Sequence, residues 1–179
     1  MTREKAVIKK AKQGDLSALD ELIRLYYSEI FKYCCWHTKT PEQAEDATQD
    51  TFYKAIRFIN AYKNNGTFRA FLYKIALNTC IDLSRKKSQF ETNSLDNTII
   101  ETTYSEIRYE NIESDIDFNL LLSKLTDKQR ELIILRYEHD LTLKEIAEIT
   151  GSNLRTCQSN LRKALKQIEK NLERSKEDE

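Results

Sequence analysis

Glycine and proline are scarce in this sequence, which has three glycines and one proline among its 179 residues. An all-β fold needs many turns, and turns depend heavily on these two residues, so the shortage weighs against such a fold. Leucine, isoleucine, lysine and glutamate favour helices and are plentiful. We therefore expect an all-α protein, whose length allows either one domain or two small ones.

Long apolar runs are also missing from the sequence. No segment approaches the roughly 18 consecutive apolar residues that mark a transmembrane helix, and the N-terminus does not resemble a signal peptide. A cytoplasmic protein is expected for these reasons. Its four cysteines are expected to stay reduced, because disulfide frameworks are typical of small secreted chains.

Motifs of catalysis and metal binding are absent as well. The sequence contains no glycine-rich phosphate loop, no H-E-x-x-H motif and no nucleophile motif. Cys34, Cys35 and His37 are neighbours, but their spacing is not that of a zinc site, and His139 has no evident catalytic partner. We therefore expect no enzyme activity, no metal, no cofactor and no small-molecule substrate.

The charges of the chain are strongly segregated, although its formal net charge is zero. Residues 1–87 include 16 basic and 10 acidic residues, and residues 88–118 include one basic and eight acidic residues. Residues 119–179 include 12 basic and 11 acidic residues. The resulting net charges are +6, −7 and +1. A basic region followed by an acidic strip suggests a nucleic-acid binder that carries its own anionic segment.

The basic region, residues 1–87, is predicted to contain four helices. Apolar residues recur at helical spacing over residues 17–37, and a short helix over residues 3–12 is expected to end at Gly14. Thr40 and Pro41 combine an N-cap with proline at the first helical position, so a third helix begins there. After a turn-rich loop over residues 60–67, a fourth helix runs to about Lys87.

The third helix has one apolar and one polar face. The predicted apolar face consists of Ala44, Ala47, Thr51, Phe52, Ala55, Ile56 and Ile59. The polar side, called here the third-helix face, consists of Asp46, Gln49, Asp50, Tyr53 and Arg57.

The fourth helix is predicted to pack inward through Phe68, Phe71, Leu72, Ile75, Ala76, Thr79 and Leu83. Lys74, Asn78 and Arg85 fall together on its outer face and form what we call the fourth-helix stripe. Such a polar stripe is suited to contacts with phosphates. Residues 88–118 lack sustained periodicity and are interpreted as an acidic, flexible linker.

The remaining residues, 119–179, match a helix-turn-helix unit. Thr126 with Gln129 and Thr142 with Glu145 are capping-box patterns that begin two helices, and Gly151 ends the second of them. Two helices joined by such a short glycine turn are typical of DNA-binding proteins.

The last helix is expected to be the recognition helix. Its predicted inward residues are Leu154, Cys157, Leu161, Leu165, Ile168 and Leu172. Because recognition helices place their N-terminal residues against base edges, the candidates for base contacts are Arg155, Gln158, Ser159 and Arg162. The candidates for phosphate contacts are Thr156, Lys163 and Lys166.

Three segments together resemble a known family. They are A-E-D-A-T-Q-D-T-F-Y-K-A at residues 44–55, F-R-A-F-L-Y-K-I-A at residues 68–76 followed by Asn78 and Asp82, and a C-terminal set comprising Leu125, Gln129, Arg130, Glu145, Ile146 and Ala147. In this order, the segments resemble bacterial sigma factors of the extracytoplasmic-function group, which keep only the second and fourth conserved sigma regions.

The resemblance implies a non-catalytic factor that joins core RNA polymerase, directs it to a promoter and helps to melt the DNA. The third-helix face would dock on the polymerase clamp helices, and the recognition helix would bind the −35 element. The −10 element would be engaged by Tyr62, Lys63, Arg69 and the fourth-helix stripe, since single-stranded bases are held by aromatic stacking and cations. A membrane-associated anti-sigma factor is also implied.

Other interpretations remain open at this point. The acidic linker either threads toward the polymerase active site, as the resemblance implies, or is a solvated tether. The whole chain could instead be a dimeric regulator that binds an operator through the same helix-turn-helix, or an adaptor that binds only proteins. The cationic fourth-helix stripe argues against the adaptor.

Overall fold

A computed structural model describes residues 3–63, 66–91 and 120–177 of the chain, and these ranges contain helices and connecting turns but no strand. The chain divides into two compact units, Met1–Tyr104 and Ser105–Glu179. Within the described ranges, no helix has the length and apolarity needed to cross a bilayer. The prediction of an all-α protein is confirmed.

The N-terminal unit contains the four predicted helices. They are α1 (Arg3–Lys12), α2 (Leu16–Cys35), α3 (Pro41–Arg57) and α4 (Phe68–Glu91), with a 3₁₀ turn at Ile59–Ala61 after α3. Helix α4 continues four residues beyond its predicted end at Lys87, so the first residues assigned to the linker are helical. The rest of the predicted linker, residues 92–118, lies outside the described residues.

Local capping interactions determine where these helices begin and end. The Asp15 side chain accepts a hydrogen bond from the Ala18 amide at the start of α2, and the Thr40 side chain accepts one from the Gln43 amide at the start of α3. Each bond satisfies an amide that has no partner within its helix. Gly14, with φ +86°, makes the left-handed turn that separates α1 from α2.

The core of the N-terminal unit lies where α2, α3 and α4 meet. Ile30 and Tyr33 of α2 and Leu72 and Tyr73 of α4 are among its largest fully buried side chains. Small residues of α3 allow close approach of the helices: Thr48 and Thr51 are fully buried, and each hydroxyl donates to the carbonyl one turn earlier. The prediction that Ile56 belongs to the buried apolar face of α3 is wrong, because its side chain is exposed.

From residue 120 to residue 177, the described part of the C-terminal unit contains a helical turn at residues 120–123 followed by three helices. Helix α5 (Asp127–Ile133) continues as a π-helical turn at Ile134–Glu138 and is followed by α6 (Leu143–Thr150) and α7 (Leu154–Glu177). Leu135, Leu141 and Ile146 are fully buried in its core. The helix-turn-helix is therefore formed by α6, the turn at residues 151–153, and α7.

Both predicted capping boxes are present in this unit. Thr126 and Gln129 exchange hydrogen bonds at the start of α5, and Thr142 and Glu145 do so at the start of α6. At the other end of α6, Gly151 adopts a left-handed conformation with φ +65°, and its amide donates to the Ala147 carbonyl. This residue sets the direction in which the chain enters α7.

We predict that Gly151→Ala lowers the free energy of unfolding of the C-terminal unit by about 1–2 kcal/mol, the cost of left-handed backbone for a residue with a Cβ. The space around Gly151 is open, so the backbone conformation alone should decide the effect. Asparagine tolerates this conformation better, and Gly151→Asn should lose less. Hydrogen exchange of the α6 and α7 amides measures the difference.

Gly14→Ala is a matched control for this prediction, because Gly14 is also left-handed and also has open space around it. Its effect should be confined to the N-terminal unit. Equal exchange rates in the Gly151 variants and the unchanged protein would show that the turn does not limit the stability of α6 and α7.

Candidate nucleic-acid and protein interfaces

The recognition helix α7 presents a continuous polar surface. Asn153 caps it, since its side-chain oxygen accepts a hydrogen bond from the Thr156 amide at 2.7 Å, and Cys157 and Ala164 anchor it in the core. All of the residues predicted to contact DNA are exposed: Arg155, Thr156, Gln158, Ser159, Arg162, Lys163 and Lys166. The helix thus offers two arginines, two lysines and neutral donors from one side.

The apolar stripe of α7 differs from the prediction. Leu154, Leu165 and Leu172 were expected to pack inward, but their exposed fractions are 44%, 40% and 45%. At about 100° per residue, all three lie roughly 60–100° around the helix from Cys157 and Ala164. The partner helices cover only the centre of a wide apolar arc, because α5 and α6 have seven and eight residues and α7 has 24.

The third-helix face is exposed along its whole length, at Asp46, Gln49, Asp50, Tyr53 and Arg57. Tyr53 is 66% exposed. Two further apolar side chains, Ile56 and Phe58, are exposed at the C-terminal end of α3, where the sequence analysis did not expect them. The Arg57 guanidinium lies 5.7 Å from the Phe58 ring centroid. Exposed aromatic side chains and an arginine are enriched at protein-binding surfaces, whose rims are polar.

Tyr62 was predicted to engage the −10 element by stacking on a base, but its ring is buried. Its side chain is only 8% exposed and packs against Phe68 and Phe71, with centroid distances of 5.4 Å to each. Lys63, the next residue, is exposed. The ring is buried because the turn after α3 brings it against the first turn of α4.

Arg69 was predicted to be a DNA contact, but the structure engages it inside the N-terminal unit. Its guanidinium pairs with the Glu29 carboxylate, which also accepts a hydrogen bond from the Tyr73 hydroxyl at 3.0 Å. Burial alone would lower the pKa of Arg69, but the hydrogen bond and the charge of Glu29 outweigh burial and raise it. Burial and the same carboxylate raise the pKa of Tyr73, which stays neutral. Arg69 therefore fastens α4 to α2.

The fourth-helix stripe is exposed at Lys74, Asn78 and Arg85, as expected. Asp82 is exposed as well, and at four residues from Asn78 it falls on the same side of α4. The stripe is therefore interrupted by one carboxylate, which the sequence reasoning did not place there.

Among the described residues, no group of three His, Cys, Asp or Glu side chains is arranged to hold a metal ion. The four cysteines, which all lie among the described residues, form no disulfide. A hydrogen bond with Cys80 lowers the pKa of Cys34 against the opposing effect of burial. Both residues are buried in the core of the N-terminal unit.

Two segments of the chain match conserved regions of a protein family. Residues 22–90 match Sigma-70 region 2, and residues 117–168 match Sigma-70, region 4. Among similar proteins, RNA polymerase sigma factor YlaC of Bacillus subtilis is 32% identical over 172 residues, which cover 90% of this chain and 96% of YlaC. The ECF RNA polymerase sigma factor SigW of the same organism is 31% identical, over 92% and 94% of the two chains.

The chain is an extracytoplasmic-function sigma factor. As a member of this family it binds core RNA polymerase and directs promoter-specific initiation of transcription. In this sigma factor, the region 2 match contains α3 and α4 as far as residue 90, and the region 4 match contains α5, α6 and α7 as far as residue 168. Helix α1 precedes the first matched residue.

Two solved structures share the fold of this sigma factor. CnrH, solved in complex with the cytosolic domain of CnrY, aligns with a TM-score of 0.71 at 19% identity, over 95% of this chain and 97% of that one. RpoE from Bartonella quintana, solved with the anti-sigma factor NepR, gives a TM-score of 0.68 at 22% identity, over 86% and 96%.

Proposed function

We propose that this sigma factor recognises its promoter through two separate surfaces that polymerase holds at a fixed spacing. The N-terminal domain, residues 1–87, binds polymerase and the −10 element, the acidic linker spans residues 88–118, and residues 119–179 bind the −35 element. The observation that carries the proposal is that all seven residues of the recognition helix predicted to contact DNA are exposed. This helix follows the turn at residues 151–153 and is capped by Asn153.

Within the recognition helix, Arg155, Gln158, Ser159 and Arg162 contact base edges in the major groove. Arginine suits this role because its guanidinium donates two parallel hydrogen bonds to guanine. Thr156, Lys163 and Lys166 contact the flanking phosphates, which position the helix but carry no sequence information.

The N-terminal domain engages the −10 element through Lys63, Lys74, Asn78 and Arg85, which are all exposed. Lys63 belongs to the loop before α4, and the other three form the fourth-helix stripe. The third-helix face binds the polymerase clamp helices, and Ile56 and Phe58 extend it with apolar area. Interfaces of this kind combine apolar contacts with charged groups at the rim.

An anti-sigma factor is the expected regulator of this protein. RpoE was solved with the anti-sigma factor NepR, and CnrH with the cytosolic domain of CnrY. We propose for this chain an anti-sigma factor, associated with the membrane, that covers the polymerase-binding surfaces. The sigma factor itself has no catalytic role and acts in the cytoplasm, where polymerase initiates transcription. The acidic linker enters the cationic channel of polymerase that leads nucleic acid from the active site.

Run-off transcription tests the proposal. The purified protein is added to core polymerase on a template that carries the upstream region of its own gene, and a template with scrambled upstream sequence is the control. Specific transcripts should appear only when protein and core polymerase are both present. A protein that binds the upstream fragment without polymerase, and yields no transcript with it, would be an operator-binding regulator instead.

A further inference from the structure

Helix α1 reaches across the N-terminal unit to the loop that precedes α4. Lys12, the last residue of α1, donates a hydrogen bond from its ammonium group to the Tyr62 carbonyl. The same ammonium nitrogen lies 5.3 Å from the centroid of the Tyr62 ring, close enough for a cation–π interaction. One lysine therefore contacts both the backbone and the side chain at the start of the loop.

Tyr62 in turn connects the two ends of the loop. Its hydroxyl donates to the Gly66 carbonyl at 2.8 Å, and its ring contacts Phe68 and Phe71 in the first turn of α4. Tyr62 therefore contacts the far end of the loop and the start of α4. Exposed Lys63 follows Tyr62 directly, so the contacts that hold Tyr62 also constrain the backbone that carries the Lys63 side chain.

The position of Lys12 is fixed by the way α1 is fastened to α2. Ile8 and Ala11 bury the inner side of α1, and the Tyr26 hydroxyl donates to the Glu4 carboxylate at 2.6 Å. The family match begins at residue 22, so α1 and Lys12 precede the conserved region that contains the loop. A residue outside that region therefore supports a loop inside it.

We propose that Lys12 and Tyr62 are positioning residues for −10 recognition, which hold Lys63 in the position from which it binds DNA. The proposal rests on the −10 role of Lys63 given above. A side chain that is already positioned loses less conformational entropy on binding, and this gain applies only to the contacts that Lys63 itself makes. Loss of either residue should therefore weaken −10 recognition and spare −35 recognition.

Four variants of the full chain, each assembled with core polymerase, test the proposal. Tyr62→Phe keeps the ring and removes the hydroxyl, Lys12→Met removes both contacts of the ammonium group, and Lys12→Arg restores a donor and a cation. Lys9→Met is the matched control, because Lys9 is exposed on the same helix and the variant loses the same charge. Holoenzyme affinity is measured on the promoter, on a −10-substituted promoter and on a −35-substituted promoter.

The ratio of affinities for the promoter and the −10-substituted promoter should fall about fivefold in Tyr62→Phe, the effect of one lost neutral hydrogen bond. It should fall at least as much in Lys12→Met, which loses a charged donor. The corresponding −35 ratio and the affinity for core polymerase should stay unchanged, which a general loss of stability would not allow. Lys12→Arg should recover the −10 ratio, and Lys9→Met should not alter it.

Three different results would overturn the proposal, and they are distinguishable. If the unchanged protein discriminates the −10 element and the Tyr62 and Lys12 variants do so equally well, Lys63 is not positioned by these residues, and the −10 assignment stands. If the unchanged protein shows no −10 discrimination at all, the −10 assignment fails and the positioning role fails with it. A parallel fall of the −10 and −35 ratios would reduce both residues to structural roles.

Discussion

Replacing both Asp46 and Asp50 by lysine should lower the affinity of the sigma factor for core polymerase roughly 100-fold, because like charges placed against each other across an interface cost several kcal/mol. The two carboxylates are one helical turn apart on the third-helix face, and both are exposed. The stability of the N-terminal domain should change little, since surface substitutions usually stay within about 0.5 kcal/mol. Titration of labelled sigma factor with core polymerase measures the affinity.

The matched control for this prediction is the pair Glu169→Lys and Glu173→Lys. These carboxylates are also exposed and also one turn apart, on α7, and they follow the last residue of the region 4 match. The control makes the same change in total charge. If both double variants weaken polymerase binding equally, total charge is responsible, and the third-helix face is not the docking site.

Arg162→Ala should weaken binding of the holoenzyme to its −35 element by roughly 1–3 kcal/mol, the range for one good base contact in the major groove. The variant should lose no affinity for a promoter substituted at the base pair that Arg162 contacts, because that promoter already lacks the contact. Affinity for random DNA should change much less. Competition between promoter and random fragments measures both quantities.

Lys166→Ala is the comparison variant for a phosphate contact. It should weaken binding to every sequence by a similar factor and reduce the salt dependence of binding by about one counterion. If Arg162→Ala behaves in the same way, with equal losses on promoter and random DNA, Arg162 contacts a phosphate and the base assignments on α7 need to be revised.

The helix boundaries could be predicted from the sequence because local interactions determine them. Thr40, Thr126 and Thr142 each accept a hydrogen bond from an amide three residues away, and Gly151 is needed for its own backbone conformation. The exposed faces of α3, α4 and α7 follow from the 3.6-residue period in the same way. These features placed most of the candidate interface residues correctly on the surface.

The errors concern side chains whose partners are far away in the sequence. Tyr62 is held by Lys12, 50 residues earlier, and Arg69 by Glu29, 40 residues earlier. The sequence period cannot tell whether a tyrosine in a loop or an arginine near a helix start finds such a partner. The exposed leucines of α7 have a related cause, since periodicity gives the direction of an apolar arc but not how much of it neighbouring helices cover.

The measurement that tests the account most directly is transcription from a promoter whose spacer has been lengthened. Once the start site is mapped and both elements are located, about five base pairs, half a helical turn, are inserted between them. The account predicts that holoenzyme transcription falls sharply, because polymerase holds the two DNA-binding regions at one separation and rotation, and that a compensating deletion restores it. Transcription that is insensitive to the insertion would contradict the claim that both regions bind the promoter together.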